Sequence, residues 1–281
     1  MIESLIEPFR FGFFRNGLAV VVIAGGLCGL IGTYVVLRGM SYIGHGLSHA
    51  IFGGAVASFV INVNFYVGAG LWGLASVLMI HAVARRRTLG ADAAIGVVTT
   101  ASLAIGIALI SAFRSFTRNF ESALFGNVLG VDVSDVTAVA LTAAVVASLV
   151  FLRYRPLLFA TFDPDVAEVS GVRTVQTDLL LSLALGATIL VTMQVLGVLL
   201  IAAALVIPAA TARLLTDRFG RMMALSVLLG SAAGFAGIYL SYFLNVASGP
   251  AVVLAESVGF LGAFLFRPAR RRVREPQPAP G

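Results

Sequence analysis

Long apolar runs, separated by short polar clusters, follow one another along most of the chain. Three stretches, 39–84, 179–212 and 222–255, hold 46, 34 and 34 residues without a single Asp, Glu or Arg. About 20 helical residues cross the apolar core of a bilayer, so each stretch contains one or two membrane spans. A membrane β-barrel shows alternating segments of about 10 residues, and these continuous runs argue against it. The pattern predicts an all-α, polytopic membrane protein.

The boundaries of the runs predict about nine transmembrane helices, with eight to ten compatible with the pattern. The predicted spans are 17–37, 44–61, 66–84, 93–112, 136–152, 178–195, 197–212, 223–243 and 250–266. We therefore divide the chain into an N-terminal interfacial segment (1–16), a transmembrane domain (17–266) and an Arg- and Pro-rich tail (267–281) that we expect to be disordered. Residues 123–131 form a further apolar stretch, which we interpret as a short re-entrant or surface helix.

Composition and charge agree with this picture. Hydrophobic residues make up 59% of the chain and charged residues 11%, against about 25% charged residues in soluble domains. All 19 basic residues are arginines, and they flank the predicted spans, so we expect contact with the lipid bilayer and no nucleic-acid partner. With nine spans, 15 arginines fall on one side. The positive-inside rule then predicts an outside N-terminus and a cytoplasmic C-terminus; with eight or ten spans, the N-terminus is inside.

Two histidines stand inside the second predicted span. His45 and His49 are spaced i, i+4 and therefore share one face of a helix. Neutral imidazoles placed in this way can ligate one transition metal, although two packing histidines would show the same spacing. Glu256 interrupts the last apolar run. A carboxylate inside a membrane either lines a cation path or pins a helix by a hydrogen bond.

The loop after the fifth predicted span carries the signals of a short exposed helix. Asp163 can cap its N-terminus with Pro164 in the first helical position. Asp165 and Glu168 suit its first turns, and Gly171 can end it. Such a helix is either a plain loop element or a docking element for a motor subunit.

Motifs for catalysis are absent from the sequence. It contains no GxxxxGK[ST] phosphate loop, no GxSxG and no HExxH. We therefore expect no enzymatic activity and no cofactor, and any energy for transport must come from a partner or from an ion gradient.

Five segments, in order, resemble the permeases of ABC importers for manganese, zinc and iron. The similarity runs from about Gly17 to Phe266 and is carried by Arg38–Gly54, Leu124–Val131, Phe162–Val172, Val195–Leu215 and Ser241–Leu254. The resemblance implies a type II importer fold, a dimer of permeases, two ABC ATPase subunits, an extracytoplasmic metal-binding protein and a location in a prokaryotic cell membrane. It also implies that a coupling helix contacts the ATPase, with the residues Phe162, Asp163, Pro164, Asp165, Ala167, Glu168 and Gly171.

The family's metal-contacting Asp and His, four residues apart, correspond to His45 and His49. A histidine in place of the aspartate replaces an oxygen ligand by nitrogen, which favours zinc as the transported metal over manganese or iron. Two alternatives stay open: a permease for an iron chelate or haem, and a proton-coupled secondary metal transporter.

Overall fold

The structure is a computed structural model that describes residues 6–84, 91–113, 124–126, 128 and 130–266. Eleven α-helices lie within these residues: α1 (Gly12–Leu37), α2 (Ser41–Val60), α3 (Phe65–Ala84), α4 (Ala91–Ala112), α5 (Val133–Leu152), α6 (Tyr154–Phe162), α7 (Pro164–Val169), α8 (Thr174–Leu196), α9 (Ile201–Leu215), α10 (Phe219–Leu244) and α11 (Ser248–Leu265). The predicted re-entrant or surface helix over residues 123–131 is described only at residues 124–126, 128, 130 and 131, and the tail 267–281 lies outside the described residues.

The predicted all-α membrane fold is confirmed. Eight described helices are long and apolar enough to cross a bilayer: α1 to α5, α8, α10 and α11. The seventh predicted span, 197–212, is the shorter helix α9, which has 15 residues. At 1.5 Å per residue, α9 is about 22 Å long, less than the roughly 30 Å of a bilayer core. Buried Pro208 lies inside it.

The first span begins earlier than the sequence indicated. A 3₁₀ turn, Glu7–Arg10, precedes α1, which starts at Gly12. Residues 12–16, assigned above to an interfacial segment, therefore belong to the first long helix. Phe14 is buried there and packs edge-on against Tyr242 at the end of α10, with ring centroids 5.6 Å apart.

Close packing of α1 against α10 forms the centre of the bundle. Glycines on both helices face each other, and two serines of α10 bridge them: Ser226 donates to the Gly29 carbonyl at 2.7 Å, and Ser231 donates to the Val22 carbonyl at 3.0 Å. Small residues let helices approach in a membrane, where the hydrophobic effect does not drive them together. The small residues of α1 therefore explain why it is the most buried span, at 78%.

Helix ends that carry arginines gather at one end of the bundle. Arg38, after α1, contacts Thr161 of α6 and Asp178 in α8. Tyr34 of α1 packs against Phe219 at the start of α10. The arginines that flank these helix ends, Arg38, Arg153, Arg155, Arg173, Arg218 and Arg221, therefore lie at what we call the arginine end. Its cytoplasmic location stays a prediction.

The opposite end holds the start of α5. The Asp132 side chain caps that helix by accepting from the Asp135 backbone N–H at 3.0 Å, and the Ser134 hydroxyl donates to it at 2.7 Å. The hydrogen bond from the Ser134 side chain, followed by that from the Asp135 backbone, holds the pKa of Asp132 below its usual value. This carboxylate stays ionised and strengthens the cap.

Candidate functional site

Helix α2 is fixed in place by close contacts with its neighbours. A Cβ atom on Gly53 would lie 2.2 Å from the Ser102 carbonyl oxygen of α4, so only glycine permits this approach. The Ser48 hydroxyl donates to the His45 carbonyl at 2.7 Å. This close contact with α4 fixes the orientation of α2 and therefore the direction of the side chains one and two turns before Gly53.

The two predicted histidines lie together on α2, two turns and one turn before Gly53. Nε2 of His45 and Nε2 of His49 are 3.1 Å apart, and the rings meet edge to face with centroids 4.5 Å apart. His45 is exposed and His49 is half-buried. Both Nε2 atoms therefore point at the same spot beside the bundle.

The two ring nitrogens are within hydrogen-bond distance of each other, and their separation also fits a shared metal ion. Two nitrogens bound at about 2.0–2.1 Å to a tetrahedral ion lie about 3.3 Å apart, close to the 3.1 Å between the imidazoles. Two ligands are half of a tetrahedral set. Within the described residues, no cluster of three or more His, Cys, Asp or Glu side chains is arranged to hold a metal.

Glu256 does not lie beside the histidines. It is 4% exposed on α11, a helix that packs mainly against α8, α9 and α10. Neither carboxylate oxygen has a hydrogen-bond partner within the described residues. Glu256 thus lies in the bundle interior, while His45 is exposed. The pore-lining role of Glu256 stays a prediction.

The predicted exposed helix is α7, and its local signals act as expected. Asp163 caps it by accepting from the Val166 amide at 3.0 Å, and Pro164 occupies the first turn. Gly171 follows with φ +83°, a conformation that favours glycine. Ala167 is fully buried. The exposed residues are Phe162, Asp163, Pro164, Asp165, Val166, Glu168 and Val169.

Apolar side chains are exposed at both ends of α7. Val169 is 90% exposed and Phe162, just before the helix, is 58% exposed. Both lie at the arginine end, where polar residues would be the norm for a helix facing water. An apolar tip held by one buried alanine is typical of a surface that another protein covers.

Asp163→Ala is expected to weaken α7 by about 1 kcal/mol, because the Val166 amide loses its acceptor. Amides of 166–169 should then exchange with deuterium about five-fold faster. Asp163→Ser is the matched control, since its hydroxyl can still cap the helix and should keep exchange near the wild-type rate. Equal exchange in the Ala variant and wild type would mean that the cap does not hold α7.

The sequence did not predict a structural role for some residues near the site. Arg38 was counted there as a flanking charge, yet its side chain is 8% exposed and forms an ion pair with Asp178. Helix α6, which joins α5 to α7, was not predicted at all. Arg38 also donates to Thr161 of α6 at 2.9 Å. The signals in the sequence were the position of Arg38 three residues before α2, which carries the histidines, and its place at the start of the segment Arg38–Gly54.

A polar cluster also joins three helices at the opposite end. The Tyr66 hydroxyl donates to the Asp135 carboxylate at 2.7 Å and lies 3.1 Å from Oε1 of Gln194. These residues start α3, start α5 and end α8. None of the three was a candidate residue in the sequence analysis.

Comparison with known proteins gives matches over nearly the full chain. Residues 10–267 match the model of the ABC 3 transport family. The chain is 39% identical over 267 residues to the manganese transport system membrane protein MntC of Listeria monocytogenes, covering 95% of this chain and 94% of that protein. It is 31% identical over 268 residues to the chelated iron transport system membrane protein YfeC of Yersinia pestis, covering 95% and 91%. The solved structure of PsaBC from Streptococcus pneumoniae in complex with Fab superposes with a TM-score of 0.87 at 33% identity, over 97% of this chain and 98% of that one.

Proposed function

The chain belongs to the ABC 3 transport family, and we propose that, as the permease subunit of a metal-ion ABC transporter, it carries a divalent transition metal inward past His45 and His49. The observation that carries this proposal is the convergence of the two Nε2 atoms, 3.1 Å apart, on α2. The ion is the transported substrate and not a resident cofactor.

A second copy of the chain completes the site in this proposal. Two histidine pairs, one from each permease, supply four nitrogens, the usual number for a tetrahedral ion. Nδ1 of His49 is buried without a hydrogen-bond partner in the described part of the chain. Metal-ligating histidines normally donate their other ring nitrogen to such a partner, which raises affinity. A site without that support binds weakly, as a site that must release its cargo requires.

Zinc is the metal that these ligands favour, since imidazole suits zinc and carboxylate or water suits manganese. Relatives named for manganese and iron transport support those two metals. All three therefore belong in the test.

Energy comes from a separate ABC ATPase subunit in this proposal, because the sequence has no phosphate-binding loop. The ATPase grips α7 through Phe162, Val166 and Val169, and an extracytoplasmic metal-binding protein delivers the ion in the cell membrane of a prokaryote. The buried Ala167 anchors α7 to the rest of the chain, so motion of the ATPase passes to α6 and α8.

The test is metal uptake into proteoliposomes that contain the permease, its ATPase and its binding protein. We expect ATP-dependent uptake, with zinc displacing labelled manganese and iron more effectively than the reverse. A preference for manganese would overturn the zinc assignment and leave the metal permease standing. Uptake that needs no ATP and collapses with a protonophore would contradict the ABC mechanism. If only an iron chelate or haem is transported, the proposed metal-ion cargo is wrong.

A further inference from the structure

Two grooves meet at the arginine end, on the outer side of the bundle between α5, α6 and α8. The first is a cavity of about 460 Å³ with polar and cationic walls. Arg153 and Arg173 line it together with Gln176 and Thr177. Both arginines are exposed, and neither forms an ion pair with a carboxylate in the described part of the chain. This cavity thus presents two uncompensated guanidinium groups.

The second groove continues from the first along the outer face of α5. It is lined by Leu141, Val145, Leu149 and Leu152 and has a volume of about 470 Å³. Arg153 and Leu180 line both grooves, so the two adjoin each other. Leu141, Val145 and Leu152 are 61%, 64% and 83% exposed. Only 17% of the α5 span is buried, the smallest share among the eight long helices.

The change from cationic to apolar lining matches a ligand that has an anionic head and an apolar tail. Guanidinium groups bind phosphate through paired, charge-assisted hydrogen bonds. An apolar channel that faces the bilayer core accommodates a hydrocarbon chain. The junction of the two lies at Arg153, the residue that directly follows the last residue of the α5 span, which is the level of lipid headgroups.

We propose that these grooves form a binding site for an anionic phospholipid, with its phosphate between Arg153 and Arg173 and an acyl chain along Leu141–Leu152. The site is separate from the histidine pair, and the inference rests on the membrane-spanning fold alone, not on the cargo. The predicted orientation puts it in the cytoplasmic leaflet, whose anionic lipids attract arginines next to a span. Its lining includes Gly171 and Val172, two and three residues after the end of α7. A bound lipid would therefore brace the segment that carries α7.

Lipid binding to the full-length chain in a neutral detergent tests the site. Native mass spectrometry would compare phosphatidylglycerol with phosphatidylcholine of the same acyl chains. We expect a clear preference for phosphatidylglycerol. The double variant Arg153→Gln, Arg173→Gln should lose about thirty-fold in phosphatidylglycerol affinity, from about five-fold per arginine near the membrane surface. Its weaker binding of phosphatidylcholine should not change.

A control double variant distinguishes specific lipid binding in the grooves from nonspecific attraction to the positive charge at this end of the bundle. Arg218→Gln with Arg221→Gln removes the same charge at the same end of the bundle, outside both grooves, and should bind phosphatidylglycerol like wild type. If this control loses as much affinity as the Arg153, Arg173 variant, the proposal is overturned. Equal binding of both lipids by wild type would also overturn it.

A variant that fills the apolar groove tests whether the site binds a phospholipid or only a small anion. Ser148 lines that groove and is exposed, so Ser148→Trp should block the acyl chain and reduce lipid binding with both arginines intact. Thr137→Trp, an exposed position on the same helix outside the groove, is its control. Unchanged binding in Ser148→Trp, or displacement of the lipid by an equal concentration of inorganic phosphate, would mean that the cavity takes small anions and not a phospholipid.

Discussion

His49→Ala is expected to reduce metal uptake by the assembled transporter about 100-fold, because it removes one of the two ligands that this chain offers. Loss of a mere supporting residue around a metal typically costs 10–100-fold in affinity or activity, so loss of a ligand belongs at the upper end. The ring of His49 is only half-buried, so its removal leaves a small gap. The variant should therefore still assemble, which size-exclusion chromatography of the complex would establish before uptake is measured.

Two further variants interpret that result. His81→Ala removes the third histidine, whose Nδ1 hydrogen-bonds to the Val77 carbonyl in its own helix, and should transport like wild type. His45→Asp replaces a nitrogen ligand by oxygen and should keep uptake while shifting preference from zinc towards manganese. Normal uptake by His49→Ala would identify the pair as packing residues and remove the histidine site from the proposal.

Periodicity and spacing were enough to predict the spans and the histidine pair. Residues i and i+4 share a helix face whatever surrounds the helix, so His45 and His49 had to be neighbours once α2 was a helix. Residues 163–171 were equally informative, because an N-cap, a following proline and a terminal glycine act locally. None of these features depends on how the helices pack.

Features that depend on packing could not be predicted. The spans are apolar on all sides, so the sequence does not distinguish the side facing lipid from the side facing the bundle. For this reason it gave no indication that Glu256 is buried or that His45 is exposed. Helix α6 was missed because Arg153, Arg155 and Pro156 interrupt the apolar run just where α5 gives way to α6. The pairing of Arg38 with Asp178 joins residues 140 positions apart, and no local pattern reports such a contact.

Asp178→Asn is expected to destabilise the protein by about 3 kcal/mol, more than removal of its partner. The Arg38 side chain is 8% exposed and that of Asp178 is 46% exposed, so loss of the acid leaves a buried cation without its counter-charge. Breaking buried pairs in this way costs roughly 3–5 kcal/mol, and the half-exposed partner places this pair at the low end. Nη2 of Arg38 already lacks a hydrogen-bond partner in the described part of the chain.

Arg38→Met should cost less, about 1 kcal/mol, because it leaves the carboxylate of Asp178 half in water and fills the buried space with an apolar side chain. Thr161 keeps its bond to the Leu157 carbonyl at 2.6 Å. Thermal unfolding in detergent should therefore rank wild type above Arg38→Met and Arg38→Met above Asp178→Asn. The reverse order would show that the guanidinium is solvated, with little role in tying α6 and α8 to the start of α2. If the predicted order is observed, Arg38→Met removes the contacts of Arg38 with α6 and α8 while the protein stays folded. Lower uptake per assembled complex by this variant would then show that these contacts couple α7 to the histidine pair.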